Sequence, residues 1–142
     1  MARSGAQTGS SNMKTLIVED DFTARLGLQR FLSRYGEFDI AVNGEEAVEA
    51  FRMTSENGPG YDLVCMDILM PEIDGPEAVR QIRTLEQARG ILSTSGAKII
   101  MVTAVEDMKE VIRSFQEICD AYLVKPVDVG KLLDHLKAFG LI

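Results

Sequence analysis

The stretch Tyr61 to Gly75, YDLVCMDILMPEIDG, decides the fold. Its apolar run Leu63-Val64-Cys65-Met66 lacks polar alternation, which predicts a strand buried on both faces and ending at Asp67. In an open α/β sheet the carboxyl end of a strand is the edge where ligands bind, so an acid placed there points to chemistry. Pro71, Asp74 and Gly75 then turn the chain toward a helix. An acid in this place can also simply end a strand and solvate a turn. What stands at the other strand ends decides between the two.

Outward from this stretch, strand and helix patterns alternate. Before it, Thr15 to Val18 is a short β-rich run that stops at Glu19-Asp20-Asp21. Leu28, Phe31, Leu32 and Tyr35 then share one helical face, with Gly36 as the stop. Phe38, Ile40 and Val42 alternate with Asp39 and Ala41, the pattern of a half-exposed edge strand. Asn43-Gly44 opens a helix burying Ala47, Ala50 and Phe51, and Asn57-Gly58-Pro59-Gly60 breaks it.

After it, Pro76 stands at the start of a helix with Val79, Ile82 and Leu85 on its inner stripe. Glu86 to Ala97, with its Gly, Ser and Thr residues, predicts a frayed helix end and a long loop. Ile99-Ile100-Met101-Val102 forms a second fully buried strand, ending at Thr103. Met108, Val111, Ile112, Phe115 and Ile118 keep helical spacing, Ala121 to Val124 is the last strand, and Val129, Leu132, Leu133, Leu136 and Phe139 mark a closing helix. These stripes are simply core. Such alternation implies an α/β fold: a doubly wound five-stranded parallel sheet with helices on both faces, joined by right-handed crossovers.

At 142 residues the chain fits one domain, and a 46% apolar fraction is ordinary for a globular protein. Met1 to Asn12 is small, polar and aperiodic, so it is expected to be a disordered leader or a vector-derived remnant ahead of a domain spanning 13–142. No apolar run is long enough to span a membrane and no signal sequence is evident, which makes the cytoplasm the expected location. Cys65 and Cys119, the latter placed on the helix beyond Phe115, match no metal or redox spacing and are expected to be core thiols. A net charge of -7 argues against direct nucleic-acid binding, which needs a basic stripe.

With the strands parallel, Glu19-Asp20, Asp67, Thr103 and Lys125 share one edge of the sheet. Clustered carboxylates repel by about 4 kcal/mol per pair at 4 Å and an effective dielectric near 20, so such a cluster attracts a cation. All-oxygen ligands select a hard one, and a site with few carboxylates, open to water and a phosphoryl oxygen, suits Mg2+.

These residues resemble the receiver domain of two-component response regulators. The matching pieces are LIVEDD (Leu16 to Asp21), MDILMPEIDG (Met66 to Gly75), VTA (Val102 to Ala104) and YLVKP (Tyr122 to Pro126), in that order, within Lys14 to Leu141. The resemblance implies a flavodoxin-like (βα)5 fold with strand order 2-1-3-4-5, as in chemotaxis-regulator-like single-domain receivers. It also implies a phosphorelay role, with a histidine kinase or histidine phosphotransfer protein as donor and a downstream protein as target.

The resemblance assigns roles residue by residue. Asp67 matches the phosphoacceptor, a carboxylate nucleophile. Glu19 and Asp20 match the acid pair that holds Mg2+, with the backbone carbonyl of Leu69 completing the protein ligands. Lys125 matches the lysine that pairs with the phosphoryl oxygens, aimed by a cis bond to Pro126. Thr103 matches the hydroxyl that bonds the phosphoryl group, and Tyr122 the aromatic that turns inward in response. Leu69 and Val105 stand where this family flanks the path of attacking water, and neither side chain can orient a water, so slow self-dephosphorylation is expected. His135, beside the Leu133-Leu136 face, is expected to be a surface or boundary residue.

Three other readings are weaker. A flavodoxin-like cofactor binder needs a hydroxyl- and glycine-rich phosphate loop where Glu19-Asp20-Asp21 stands. An aspartyl-phosphate phosphatase has a second acid where Leu69 stands. A receiver-shaped scaffold that is never phosphorylated has no use for the full set Glu19, Asp20, Asp67, Thr103 and Lys125.

Overall fold

A computed structural model of the chain describes residues 12–68, 75–92, 95–104, 113 and 119–142. Five strands, β1 (Thr15–Val18), β2 (Phe38–Ala41), β3 (Leu63–Asp67), β4 (Lys98–Thr103) and β5 (Ala121–Val124), form one sheet in the order β2-β1-β3-β4-β5. Every pairing is parallel, with Thr15 opposite Leu63, Leu63 opposite Lys98, and Ile100 opposite Ala121. Among the described residues four α-helices accompany it: α1 (Phe22–Leu32), α2 (Gly44–Glu56), α3 (Gly75–Ala88) and α4 (Val129–Ala138).

The uninterrupted apolar strands make sense because each face has its own core. Leu16, Val18, Val64, Met66, Ile99 and Met101 point to one side, where Ala47 and Phe51 of α2 and Val79 and Ile82 of α3 meet them. Ile17, Leu63, Cys65 and Ile100 point to the other, against Leu28, Phe31 and Leu32 of α1 and Leu132 and Leu136 of α4. Strand residues alternate between two apolar layers, so polar alternation disappears.

Three of the helices, α1, α2 and α4, start on side-chain caps. Asp21 accepts from the Ala24 amide at 2.8 Å, Asn43 from the Glu46 amide at 2.8 Å, and Asp128 from the Lys131 amide at 3.1 Å. Asp21 and Asp128 sit just past β1 and β5, so these caps also fix how the chain leaves the functional edge. None of the described helices is long and apolar enough to cross a membrane.

The structure departs from the sequence pattern in several places. In β2 the buried residue is Ala41, while Val42 lies beyond the strand and is exposed. The edge strand has a core on each face, so Ala41 joins the α2 side and Phe38 and Ile40 the α1 side. Helix α3 continues through Ala88, and Glu86, expected in a fraying end, is buried. Its carboxylate accepts from Arg83 Nη1 at 2.8 Å and from the Ala97 amide at 2.8 Å, which holds the last turn in place.

Arg83 Nη2 also donates to Asp120 at 3.0 Å, and Asp120 accepts from the Ile99 amide at 2.8 Å, so α3, β4 and β5 are tied together at the sheet edge remote from Asp67. A Cβ at Gly96 would collide with the Glu86 carboxylate, which explains that glycine. Val129 is exposed in the first turn of α4, whereas Leu132 and Leu136 are fully buried. Cys119 is buried as expected, but it lies in the irregular approach to β5 instead of on a helix. The helical stripe over 108–118 and the leader over 1–11 fall outside the described residues, Arg113 excepted.

Candidate phosphoacceptor and cation site

Parallel pairing brings the ends of β1, β3, β4 and β5 to one edge. Val18 lies opposite Met66, Asp67 opposite Val102 and Thr103 opposite Val124, so Glu19, Asp67, Thr103 and Lys125 each end or follow a neighbouring strand. Glu19, Asp20 and Asp67 each offer a carboxylate oxygen, and these oxygens all lie within 4.8 Å of one another. Glu19 and Asp67 are buried, at 2% and 4% exposure, while Asp20 faces solvent. A hard cation at this all-oxygen cluster would thus meet two fixed acids and one open to water, the donor set that fits Mg2+.

Lys125 reaches into the cluster from the end of β5. Its Nζ lies 3.1 Å from Glu19 Oε1 and 3.3 Å from Asp67 Oδ2. The Lys125 amide donates to the Thr103 carbonyl at 2.9 Å, and the Lys125-Pro126 peptide is cis, as expected. Partial burial opposes the ammonium charge, but the bond to Glu19 and the charges of Asp67 and Glu19 outweigh it and hold the lysine above its ordinary range. Burial, reinforced by hydrogen bonding and charge repulsion from Asp67, pushes Glu19 up to about 7. Glu19 thus holds a proton more readily than an ordinary carboxylate.

Thr103 is 2% exposed, and its hydroxyl donates to the Ala104 carbonyl at 3.2 Å. Tyr122, one strand over, is half-buried and packs against the α2–α3 side of the core. Its hydroxyl is buried with no hydrogen-bond partner among the described residues. Burial first, then the neighbouring Cys119 thiol, holds that phenol far above the ordinary tyrosine range. The ring tip is therefore already inward in this structure. His135 is half-buried and stacks on Phe139 at a centroid distance of 6.1 Å, in line with a boundary role.

Two contributors carried no clear sequence signal. A Cβ at Gly75 would collide with the Asp67 carbonyl oxygen, so the glycine permits close approach beside the central acid as well as a turn. Arg25, on the first turns of α1, donates from Nη1 to the Glu19 carbonyl at 3.1 Å. Its position in the helix could be read from sequence, but its reach back to the turn could not. Leu69 and Val105 lie outside the described residues. The site adjoins a groove of about 560 Å³ between α1 and α4, lined by Glu19, Lys125, Leu28, Phe31, Val127 and Leu132 among others.

Comparison with known proteins gives a consistent answer. The response regulator receiver domain model matches residues 15–137. The response regulator protein VraR of Staphylococcus aureus is 29% identical over 125 residues, covering 88% of this chain and 55% of that protein, so the chain spans about half the length of such relatives. Among solved structures, the co-crystal of the Saccharomyces cerevisiae histidine phosphotransfer protein Ypd1 with the receiver domain of its downstream response regulator Ssk1 matches with a TM-score of 0.76 and 32% identity, covering 92% of this chain and 90% of that one. The receiver domain of the Pseudomonas aeruginosa sensor histidine kinase PA1611, which carries a magnesium ion in its active-site cleft, has the same fold with a TM-score of 0.71 at 24% identity, covering 91% of this chain and 98% of that one. With its model matched over most of its length and the fold shared throughout, the chain belongs to the response regulator receiver domain family.

Proposed function

We propose that this receiver is a phosphorylation-controlled signalling switch in which Asp67 is the phosphoacceptor. The observation that carries this reading is the convergence of the Glu19, Asp20 and Asp67 oxygens within 4.8 Å, with Lys125 Nζ 3.3 Å from Asp67. An Asp67 oxygen attacks the phosphorus of a phosphohistidine on a partner kinase or phosphotransfer protein. The new P–O bond forms as the P–N bond breaks, and the electron pair leaves on the imidazole nitrogen, which takes up a proton. Glu19, Asp20 and Asp67, with the Leu69 carbonyl, are the groups that would hold Mg2+, which when bound supplies charge neutralisation for the phosphoryl oxygens. Lys125 is a mobile point charge beside the acceptor and shifts its ammonium from the acids to the phosphoryl group.

Thr103 and Tyr122 read out the modification. The Thr103 hydroxyl exchanges the Ala104 carbonyl for a phosphoryl oxygen, and the end of β4 that carries Thr103, with Tyr122 on neighbouring β5, changes the surface offered to a downstream protein. No separate substrate is turned over, and self-dephosphorylation is slow because neither Leu69 nor Val105 can orient a water. The switch acts in the cytoplasm through protein contacts, in keeping with its net charge of -7.

Incubation with a small acyl phosphate and MgCl2 tests the reading by intact-mass spectrometry. Addition of one phosphoryl group, abolished by Asp67→Asn and by chelation of Mg2+, is the expected result. Undiminished labelling of Asp67→Asn would overturn it, and a phosphoryl lifetime of seconds in the isolated chain would overturn the slow hydrolysis.

A further inference from the structure

The turn between β1 and α1 presents two adjacent acids to a third, and their mutual repulsion works to splay them. Lys125 offsets that between Glu19 and Asp67, and three further bonds hold the turn itself. The Glu19 amide donates to the Ala41 carbonyl at 3.1 Å, and the Glu19 carboxylate accepts from the Asp21 amide at 3.2 Å. The Glu19 carbonyl, past the end of β1, accepts from Arg25 Nη1 at 3.1 Å. The Arg25 amide donates to the Asp21 carbonyl at 3.0 Å as the first backbone bond of α1, which anchors the residue while its side chain reaches back to the turn.

The guanidinium lies over the Phe22 ring, 5.5 Å from its centroid, which restricts its orientation. Although Glu19, Asp20 and Asp21 stand just before it in the chain, no ion pair links Arg25 to any acid among the described residues. The planar fork is committed to a carbonyl at the metal-facing turn and leaves the carboxylates to other partners.

We propose that Arg25 is a positioning residue for the divalent-cation site, fixing the Glu19 carbonyl so that the Glu19 and Asp20 carboxylates converge on Asp67. The proposal rests on the reading of that cluster as a cation site. Its two effects on binding have opposite sign, which makes them separable. As a bare positive charge Arg25 repels a cation, so deleting the charge tightens binding. As a positioning group it pre-organises the ligands, so deleting its hydrogen bond loosens binding, and outer-shell partners of this kind typically account for tenfold or more in metal affinity.

Calorimetric titration of the whole chain with MgCl2 at pH 8 tests this in wild type, Arg25→Met, Arg25→Lys and Asp20→Asn, with folding of each verified by urea unfolding in chelator. Arg25→Met is expected to bind Mg2+ about tenfold more weakly, and Arg25→Lys, which keeps a donor on a long stem, to recover most of the loss. Arg25→Gln, a good helix former whose amide falls short of the carbonyl, takes the place of the methionine variant should that one not fold. Unchanged or tighter binding in the folded methionine or glutamine variant overturns the proposal. Wild-type affinity in Asp20→Asn would instead overturn the cation site itself, whatever Arg25 does.

Discussion

The raised pKa of Glu19 makes cation binding a competition with a proton, and pH is the perturbation that exposes it. With the carboxyl pushed up to about 7 by burial and by Asp67, the metal-free site is mostly protonated at pH 6 and mostly ionised at pH 8. Binding through the ionised form has to expel that proton, so apparent Mg2+ affinity is expected to be about tenfold weaker at pH 6 than at pH 8. Proton release per cation bound should fall from nearly one at pH 6 to about a tenth at pH 8.

Stability without metal runs the other way. A folded-state pKa above the unfolded value means that the contribution is complete below the unfolded pKa, near 4.5, and is lost as pH rises through about 7. About 3 to 4 kcal/mol at most is at stake, from about 2.5 pH units at roughly 1.4 kcal/mol per unit. Calorimetry in two buffers of different ionisation enthalpy measures affinity and proton release together. Glu19→Gln, which removes the titrating group, should flatten the profile. An affinity that is constant from pH 6 to 8 in the wild type would refute the reasoning.

Three further outcomes are expected. Moving a two-state domain from about 1:99 to 99:1 takes roughly 5.5 kcal/mol, and charge-assisted bonds from Thr103 and Lys125 at about 1.5–3 kcal/mol each reach that only together, so Thr103→Ala should accept a phosphoryl group but lose phosphorylation-dependent partner binding. Pull-down with and without beryllofluoride checks it, and normal binding by the variant would contradict it. Arg83→Met strips the buried Glu86 of its cation and should cost about 3–5 kcal/mol in urea unfolding; a loss under 1 kcal/mol would mean that the network is dispensable. Tyr122→Phe removes a buried hydroxyl that has the Cys119 thiol beside it but no hydrogen-bond partner among the described residues, so urea unfolding should show it neutral or stabilising by up to about 1 kcal/mol, and clear destabilisation would contradict this.

The strands were legible because two-sided burial leaves an unmistakable mark: Leu63 to Met66 and Ile99 to Val102 carry no polar residue at all. The acids and the lysine could be placed at one edge because parallel topology leaves few alternatives for residues that follow strands directly. What sequence could not supply was anything depending on a side chain reaching across elements. Glu86 looks like a solvated acid until Arg83 and the Ala97 amide are seen to enclose it, and Arg25 looks like an ordinary helix cation until its fork meets the Glu19 carbonyl. Val42 misled for a related reason: at an edge strand with two cores, alternation does not say which face is the inner one.

The Arg83–Glu86–Asp120 network has a consequence for how a signal can spread. It rivets the starts of β4 and β5 to α3 with directional bonds that tolerate no sliding, whereas the opposite ends of the same two strands carry Thr103 and Lys125. A rod clamped at its base bends at its tip, so a disturbance at that edge is expected to be largest at the Thr103 and Lys125 ends of those strands and to fade toward the rivet.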